Sequence, residues 1–148
     1  MFAGRYDHAL DEKGRTMMPK RFRDRLALSD DRTVWITNPH VGSDHLEVRP
    51  ASSFRRYHER ISALTPTKRI VDFKRRYFGS AMEVEVDAAG RILIPASMRA
   101  RIGLSDKITF VGADENYFEL WSPEALDRSF ADGAGDEDVF QMLAEAGL

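Results

Sequence analysis

An aspartate, a glycine and an arginine recur in this chain in the pattern Asp-x-x-Gly-Arg, first as Asp11, Gly14 and Arg15 and again as Asp87, Gly90 and Arg91. An aspartate at the head of such a stretch can bond the backbone amides ahead of it, and a glycine three residues on supplies the positive φ that closes a tight turn. The arginine is then carried at the end of a hairpin. Its planar guanidinium is a fork of donors that fits a phosphate or a guanine edge bidentately. Two roles are open to each pair: Asp11 with Arg15, and Asp87 with Arg91, fix the turn, or the turn presents the arginine outward. The two roles are compatible. Lys13 sits in the first turn where Ala89 sits in the second, so the first copy is the more basic and is expected to dominate any contact with an anion.

The turns belong to a longer repeat. DEKGRTMMPKRFR (11–23) aligns with DAAGRILIPASMR (87–99), and Asp, Gly, Arg, Pro and a final Arg coincide at a constant displacement of 76 residues. HLEVRPASSF (45–54) and YFELWSPEAL (117–126) continue the likeness. Two motifs repeated in one order mark an internal duplication.

Alternation at Tyr6, His8 and Leu10, and at Met82, Val84 and Val86, predicts a half-buried strand before each turn. RTMM and RILI predict strands after it, ended by Pro19 and Pro95, which suit the first position of a short helix. Gly103 stops the second of these helices. TVWIT and KITFVG then read as strands that pair with HLEV and YFELW. Between the copies, Phe54, Tyr57, Ile61 and Leu64 form a helical stripe, Thr65 and Pro66 break it, and Ile70, Phe73 and Tyr77 form a second stripe capped at Gly79. Ser122 and Pro123 predict another helix, running to about Phe130. DGAGDED (132–138) reads as a flexible acidic segment, and 139–148 as a helix only if something receives it.

These elements divide the chain into a first module (1–50), a helical linker (51–78), a second module (79–123) and a C-terminal helix with an acidic tail (124–148). A unit of about 50 residues is too small to stabilise itself by burial, so the two modules are expected to share one core with pseudo-two-fold symmetry. The fold class expected is α+β and β-rich.

The 148 residues are 43% hydrophobic and 31% charged, which fits a folded domain with an ionic surface. The net charge of −2 hides an uneven distribution. Asp132, Asp136, Glu137, Asp138 and Glu145 give residues 132–148 a charge of −5, leaving +3 for the body. Residues 13–25 carry +5 and residues 68–76 carry +4. Clusters of this density suit a phosphate backbone, and they equally describe a solvated face. There is no cysteine, which excludes disulfides and thiolate metal sites and suggests a reducing compartment. No apolar run approaches a signal peptide or a spanning helix, so a cytoplasmic protein without a membrane partner is expected.

Met1, Phe2 and Gly4 at the start, the Asp-x-x-Gly-Arg turn in both halves, Pro19, Pro95 and the segment Phe118–Trp121 together resemble the MraZ family of bacterial transcription regulators along nearly the whole chain. The resemblance implies a swapped-hairpin barrel of the AbrB type, both halves supplied by one chain. It also implies ring-shaped homo-oligomers that associate with the nucleoid, bind short direct repeats in double-stranded DNA upstream of the division and cell-wall gene cluster, and usually repress it. Arg5, Lys13, Gly14, Arg15 and Arg91 are the DNA-binding residues expected on this basis, with Asp11, Asp87 and Gly90 shaping the turns. The family often has a basic residue where this chain has Ala3, with Arg5 nearby. The apolar linker helices are candidates for the subunit contact and, equally, for packing on their own barrel.

Other classes fit less well. His8, His40, His45 and His58 show no ligand spacing, and no phosphate-binding loop is present. No metal, cofactor or small-molecule substrate is expected. Some double-psi barrels cut themselves at a Gly-Ser bond, and this chain has Gly42-Ser43 and Gly79-Ser80. Intact mass distinguishes that possibility. A protein that only binds other proteins would show no dependence of DNA affinity on salt.

Overall fold

A computed structural model describes residues 1–132 and 136–148. In chain order the elements are β1 (Phe2–Ala9), β2 (Arg15–Met17), α1 (Lys20–Leu28), β3 (Thr33–Thr37), β4 (His45–Pro50), α2 (Ala51–Ser62), α3 (Lys68–Tyr77), β5 (Met82–Glu85), β6 (Arg91–Leu93), α4 (Ala96–Arg101), β7 (Lys107–Asp114), β8 (Phe118–Trp121), α5 (Pro123–Ala131) and α6 (Asp136–Glu145). The class is α+β with antiparallel pairing throughout.

The duplication governs the topology. Six strands form a sheet in the order β1-β7-β8-β4-β3-β5, and β2 pairs with β6 in a separate ribbon. Exchanging each strand for its counterpart in the other copy turns this order into its own reverse, which is the signature of an internal two-fold. The copies also trade strands. β1 of the first copy pairs with β7 of the second, Phe2 opposite Asp114 through Ala9 opposite Lys107, while β5 of the second pairs with β3 of the first. The two copies therefore cannot be separated without breaking both outer ladders. The sheet ends in β1 and β5, so the hydrogen-bonded strands do not close into a ring among the described residues. The ribbon strands are three residues long and pair with each other, with one bridge from Leu10 to Thr16 as their link back to β1.

Beneath the sheet and ribbon lies one core drawn from both copies: Phe2, Met18, Phe22, Val34, Ile36, Leu46 and Val48 pack with Ile92, Ile94, Ile108, Phe110, Phe118 and Leu120. Phe22 on α1 is its hub, with its ring 5.2 Å from Phe2 and 4.9 Å from Phe118. Thr16 is buried in the ribbon, where the second copy has Ile92, and its hydroxyl has no hydrogen-bond partner among the described residues. An unsatisfied buried hydroxyl costs about 1–3 kcal/mol. Thr16→Val is therefore expected to raise stability by about 1 kcal/mol, read as a higher urea midpoint at unchanged slope.

The prolines act one residue earlier than the sequence suggests. Pro19, Pro50 and Pro95 occupy the N-cap itself, with ψ near 140–150°, and the helix begins at the next residue. The extended conformation of each proline ends the approaching chain and sets its angle of entry. Pro123 does stand at N1, behind a Ser122 hydroxyl that accepts from the Ala125 amide at 3.2 Å. Gly79 is not the C-cap of α3, a position held by Phe78 in right-handed geometry. A side chain at Gly79 would strike the Arg75 carbonyl, so the glycine serves close approach instead.

One polar seam spans the join between copies. His45 on β4 stacks on Trp121 of β8, with centroids 4.3 Å apart, and its Nε2 lies 3.1 Å from a Glu119 carboxylate oxygen. Burial disfavours the imidazolium, but Glu119 and Asp44 outweigh it and raise the His45 pKa above its ordinary 6.5. Burial likewise opposes the Glu119 carboxylate, whose bonds to His45 and Trp121 hold it below 4.5. The His45 contribution is complete below pH 6.5 and is lost as pH rises through the elevated value. The urea midpoint is expected to fall as pH rises above the ordinary histidine value of 6.5, and His45→Gln to flatten that slope.

Candidate nucleic-acid interface

The two turns have the same construction. The Gly14 amide donates to the Asp11 carbonyl at 3.0 Å, and Oδ1 of Asp11 accepts from the Lys13 and Arg15 amides, both at 2.9 Å. Oδ2 of Asp11 accepts from Arg15 Nε at 2.8 Å. In the second turn Asp87 accepts from the Ala89 amide at 2.9 Å, the Arg91 amide at 2.8 Å and Arg91 Nε at 2.9 Å. The backbone amide of the arginine is the main reason each aspartate's carboxyl titrates below its ordinary value. Both carboxylates thus stay ionised at neutral pH. Each arginine is held by Nε alone, and its two terminal nitrogens bond to no described residue. The pair consequently does both things open to it: Nε fixes the turn while the outer edge of the fork faces solvent.

Gly14 and Gly90 are needed on two counts. Their φ values are +89° and +87°. They are also buried, because an arginine from the opposite copy lies over each of them. A Cβ on Gly14 would fall 2.5 Å from Arg99 Nε and 2.6 Å from the Ile94 carbonyl oxygen, and one on Gly90 would fall 2.6 Å from Arg23 Cδ. Arg99 Nε donates to the Ile94 carbonyl at 3.0 Å, and Arg23 Nε to the Met18 carbonyl at 3.1 Å. Amide bonds follow the same exchange, Ile94 to the Gly14 carbonyl at 2.7 Å and Met18 to the Gly90 carbonyl at 2.9 Å. Each turn is clamped by the other copy. Arg23 and Arg99 are the final arginines of the aligned repeat, and that coincidence is the signal by which they could have been found.

The ribbon sets the spacing of the exposed arginines. Arg15 lies opposite Leu93, Thr16 opposite Ile92, and Met17 opposite Arg91. Thr16 and Ile92 point into the core, so Arg15, Met17, Arg91 and Leu93 share the outer face. Arg15 and Arg91 are diagonal neighbours there, about 7–8 Å apart at the backbone. Lys13 projects beside them from the first turn, its carbonyl 3.5 Å from Arg99 Nη2. A two-stranded ribbon of this kind is narrow enough for the major groove of B-form DNA.

Arg5 lies elsewhere. It sits on β1 about 20 Å of strand away from Asp11. There its Nη2 donates to Asp127 at 3.2 Å, Asp7 lies 3.9 Å from its Nε, and its guanidinium covers the Phe130 ring at 5.9 Å. Among the described residues no group of three or more His, Cys, Asp or Glu could hold a metal ion, and no helix is long and apolar enough to cross a membrane.

Residues 1–74 and 77–137 match a family model described as "MraZ protein, putative antitoxin-like". The chain belongs to the MraZ family. Relatives named transcriptional regulator MraZ match it from end to end. The MraZ of Heliobacterium modesticaldum is 37% identical over 150 aligned residues, with all of both chains covered. That of Variovorax paradoxus is 36% identical, covering 97% of this chain and 99% of the relative. That of Lachnoclostridium phytofermentans is 32% identical, covering 100% and 99%.

Proposed function

We propose that this chain is a sequence-specific, DNA-binding transcriptional regulator that acts as a repressor at short direct repeats upstream of its own division and cell-wall gene cluster. The observation that carries this reading is the outer face of the ribbon. Arg15 and Arg91 stand diagonally on it with their terminal nitrogens free, each braced by its own aspartate. Lys13 adds a cation beside the first of them. Asp11, Asp87, Gly14 and Gly90 shape the turns, and Gly14, beneath Arg99, serves the DNA contact by letting the backbone of the first turn hold Lys13 and Arg15 in place. Arg5, paired with Asp127, holds β1 against α5 and reaches DNA only if that pair opens.

Residues 1–50 and 79–123 then act as the two halves of an AbrB-type swapped-hairpin barrel, its seams between ribbon and sheet filled by side chains. Residues 51–78 are the linker, and 124–148 the C-terminal extension. A ring of such subunits, working on the nucleoid in the cytoplasm, explains how a module with few cations binds firmly. Several weak contacts on consecutive repeats can exceed single-site affinity by roughly 100- to 10,000-fold.

Footprinting on the DNA upstream of the protein's own operon tests the reading, with regularly spaced protected repeats as the expected result. Affinity should also fall with salt by about 0.9 log units per neutralised phosphate for each log unit of salt. Absence of protection together with a flat salt profile would overturn it.

A further inference from the structure

Acid is concentrated at the end of the chain in helix α6, while α2 holds two arginines that no carboxylate among the described residues answers. Helix α6 carries Asp136, Glu137 and Asp138 in its first turn and no basic residue in its last. None of its residues is buried, and Phe140 and Met142 are each 67% exposed. A ten-residue helix is marginal in water on its own, so an apolar face of this kind needs a receiver. Asp136, Phe140 and Leu143 are spaced i, i+4 and i+7, which places acid and apolar groups along one face.

A hollow of about 240 Å³ lies between α2 and the β7–β8 loop, bounded by Arg49, Arg56, Tyr57, Arg60 and Tyr117, with one carboxylate, Asp114, whose Oδ1 accepts from the Asn116 amide at 2.7 Å. The Arg49 guanidinium is fixed at its base between two rings, 4.0 Å from the Tyr57 centroid and 5.0 Å from the Tyr117 centroid, and Nε donates to Glu47 and Tyr77. Arg56 and Arg60 are one helical turn apart at its rim, and neither forms an ion pair with a described residue. The hollow thus offers two uncommitted cations above aromatic walls.

We infer that α6 of a second copy seats in this hollow, with its first-turn carboxylates on Arg56 and Arg60 and Phe140 against Tyr57 and Tyr117. Charge complementarity selects the occupant: among the described helices α6 alone carries acid without a base, and the arginines of the hollow outnumber its one carboxylate, Asp114. A second copy supplies it because this chain leaves its own α6 uncovered and its own hollow open. Helix and hollow are different surfaces, so the contact is heterologous and propagates from subunit to subunit, closing if the rotation between them closes. This names the contact behind the oligomer proposed above and rests on that oligomer.

Light scattering on the full chain without DNA separates the two ideas. The wild-type mass tests whether an oligomer exists. Asp136→Lys with Glu137→Lys and Asp138→Lys, and separately Arg56→Glu with Arg60→Glu, should each reduce the mass to that of smaller species at concentrations where wild type is assembled. Each should keep the far-ultraviolet circular dichroism of wild type, since the substitutions lie on exposed faces. One chain carrying both sets should reassemble. A monomeric wild type overturns the oligomer and this contact together, and points to α6 closing on its own chain. Reversals that leave an assembled mass unchanged, or a combined chain that stays dissociated, overturn this contact and spare the oligomer. If Arg56→Glu with Arg60→Glu weakens DNA binding while the mass holds, the hollow serves DNA and the inference fails.

Discussion

Arg15→Ala is expected to weaken binding to DNA from upstream of the protein's own operon by roughly 5- to 150-fold, the worth of one bidentate contact of about 1–3 kcal/mol. Its melting temperature should move by less than about 4 °C. The Asp11 pair it removes is screened by solvent, with the Arg15 side chain 41% exposed, so its loss costs the fold little. Arg15→Lys separates reading from attraction. Lysine keeps the charge but lacks the planar fork, so the salt slope should persist while discrimination between operator and unrelated DNA declines. Electrophoretic mobility shifts at two salt concentrations, beside a thermal melt, measure all of this. Should Arg15→Ala unfold, or bind as wild type does, the residue is a brace and the ribbon face is not the reading surface.

The second large effect concerns stability and is unequal between the copies. Gly14→Ala and Gly90→Ala both force a side chain into the left-handed region, at about 1–2 kcal/mol. At Gly90 the new methyl group meets Cδ and the guanidinium of Arg23, a flexible side chain that can swing aside by giving up its bond to the Met18 carbonyl. At Gly14 it meets the Ile94 carbonyl as well as Arg99, and that stretch of backbone, tied through the Ile94 amide to the Gly14 carbonyl, cannot yield as easily. Gly14→Ala should therefore cost about 3 kcal/mol or more and Gly90→Ala about half as much. Urea unfolding of the two variants in parallel decides this. Equal losses would mean that the clamp is as soft on one side as on the other.

Local features are the ones legible from sequence. Asp11 and Gly14 specify their turn through bonds made within five residues, so the motif alone foretells the observed geometry, and Ser122 with Pro123 does the same for α5. The same holds for strand β3, whose β-branched run TVWIT begins and ends where periodicity puts it. Partnership between distant segments is not written locally. Nothing in Phe2–Ala9 names Lys107–Asp114 as its partner, and the duplication predicts symmetry without saying that the copies exchange strands. Arg99 carries no mark distinguishing a clamp on Gly14 from a surface cation, because its function appears only when Ile94 and Gly14 are brought together. Nothing in the residues around Arg5 tells that β1 sets it beside Asp127, 122 positions along the chain.

The exchange of outer strands also fixes an order of events during synthesis. Residues 2–9 of β1 find their partner in residues 107–114, about 105 residues later. At a ribosomal rate of roughly 5–20 residues per second, β1 leaves the ribosome some 5–20 seconds before the strand it must join exists. For that interval the first half is an incomplete sheet with an unpaired edge, open to the same half of a neighbouring nascent chain on the polysome. A pairing of first half with first half would set the eight-residue β1 against the five-residue β3 in place of the eight-residue β7, so it is open to the nascent chain but makes a shorter ladder than the right one. Differences between the copies, such as Thr16 in place of an isoleucine and Lys13 in place of an alanine, likewise give selection a means of making the correct pairing within one chain the more stable.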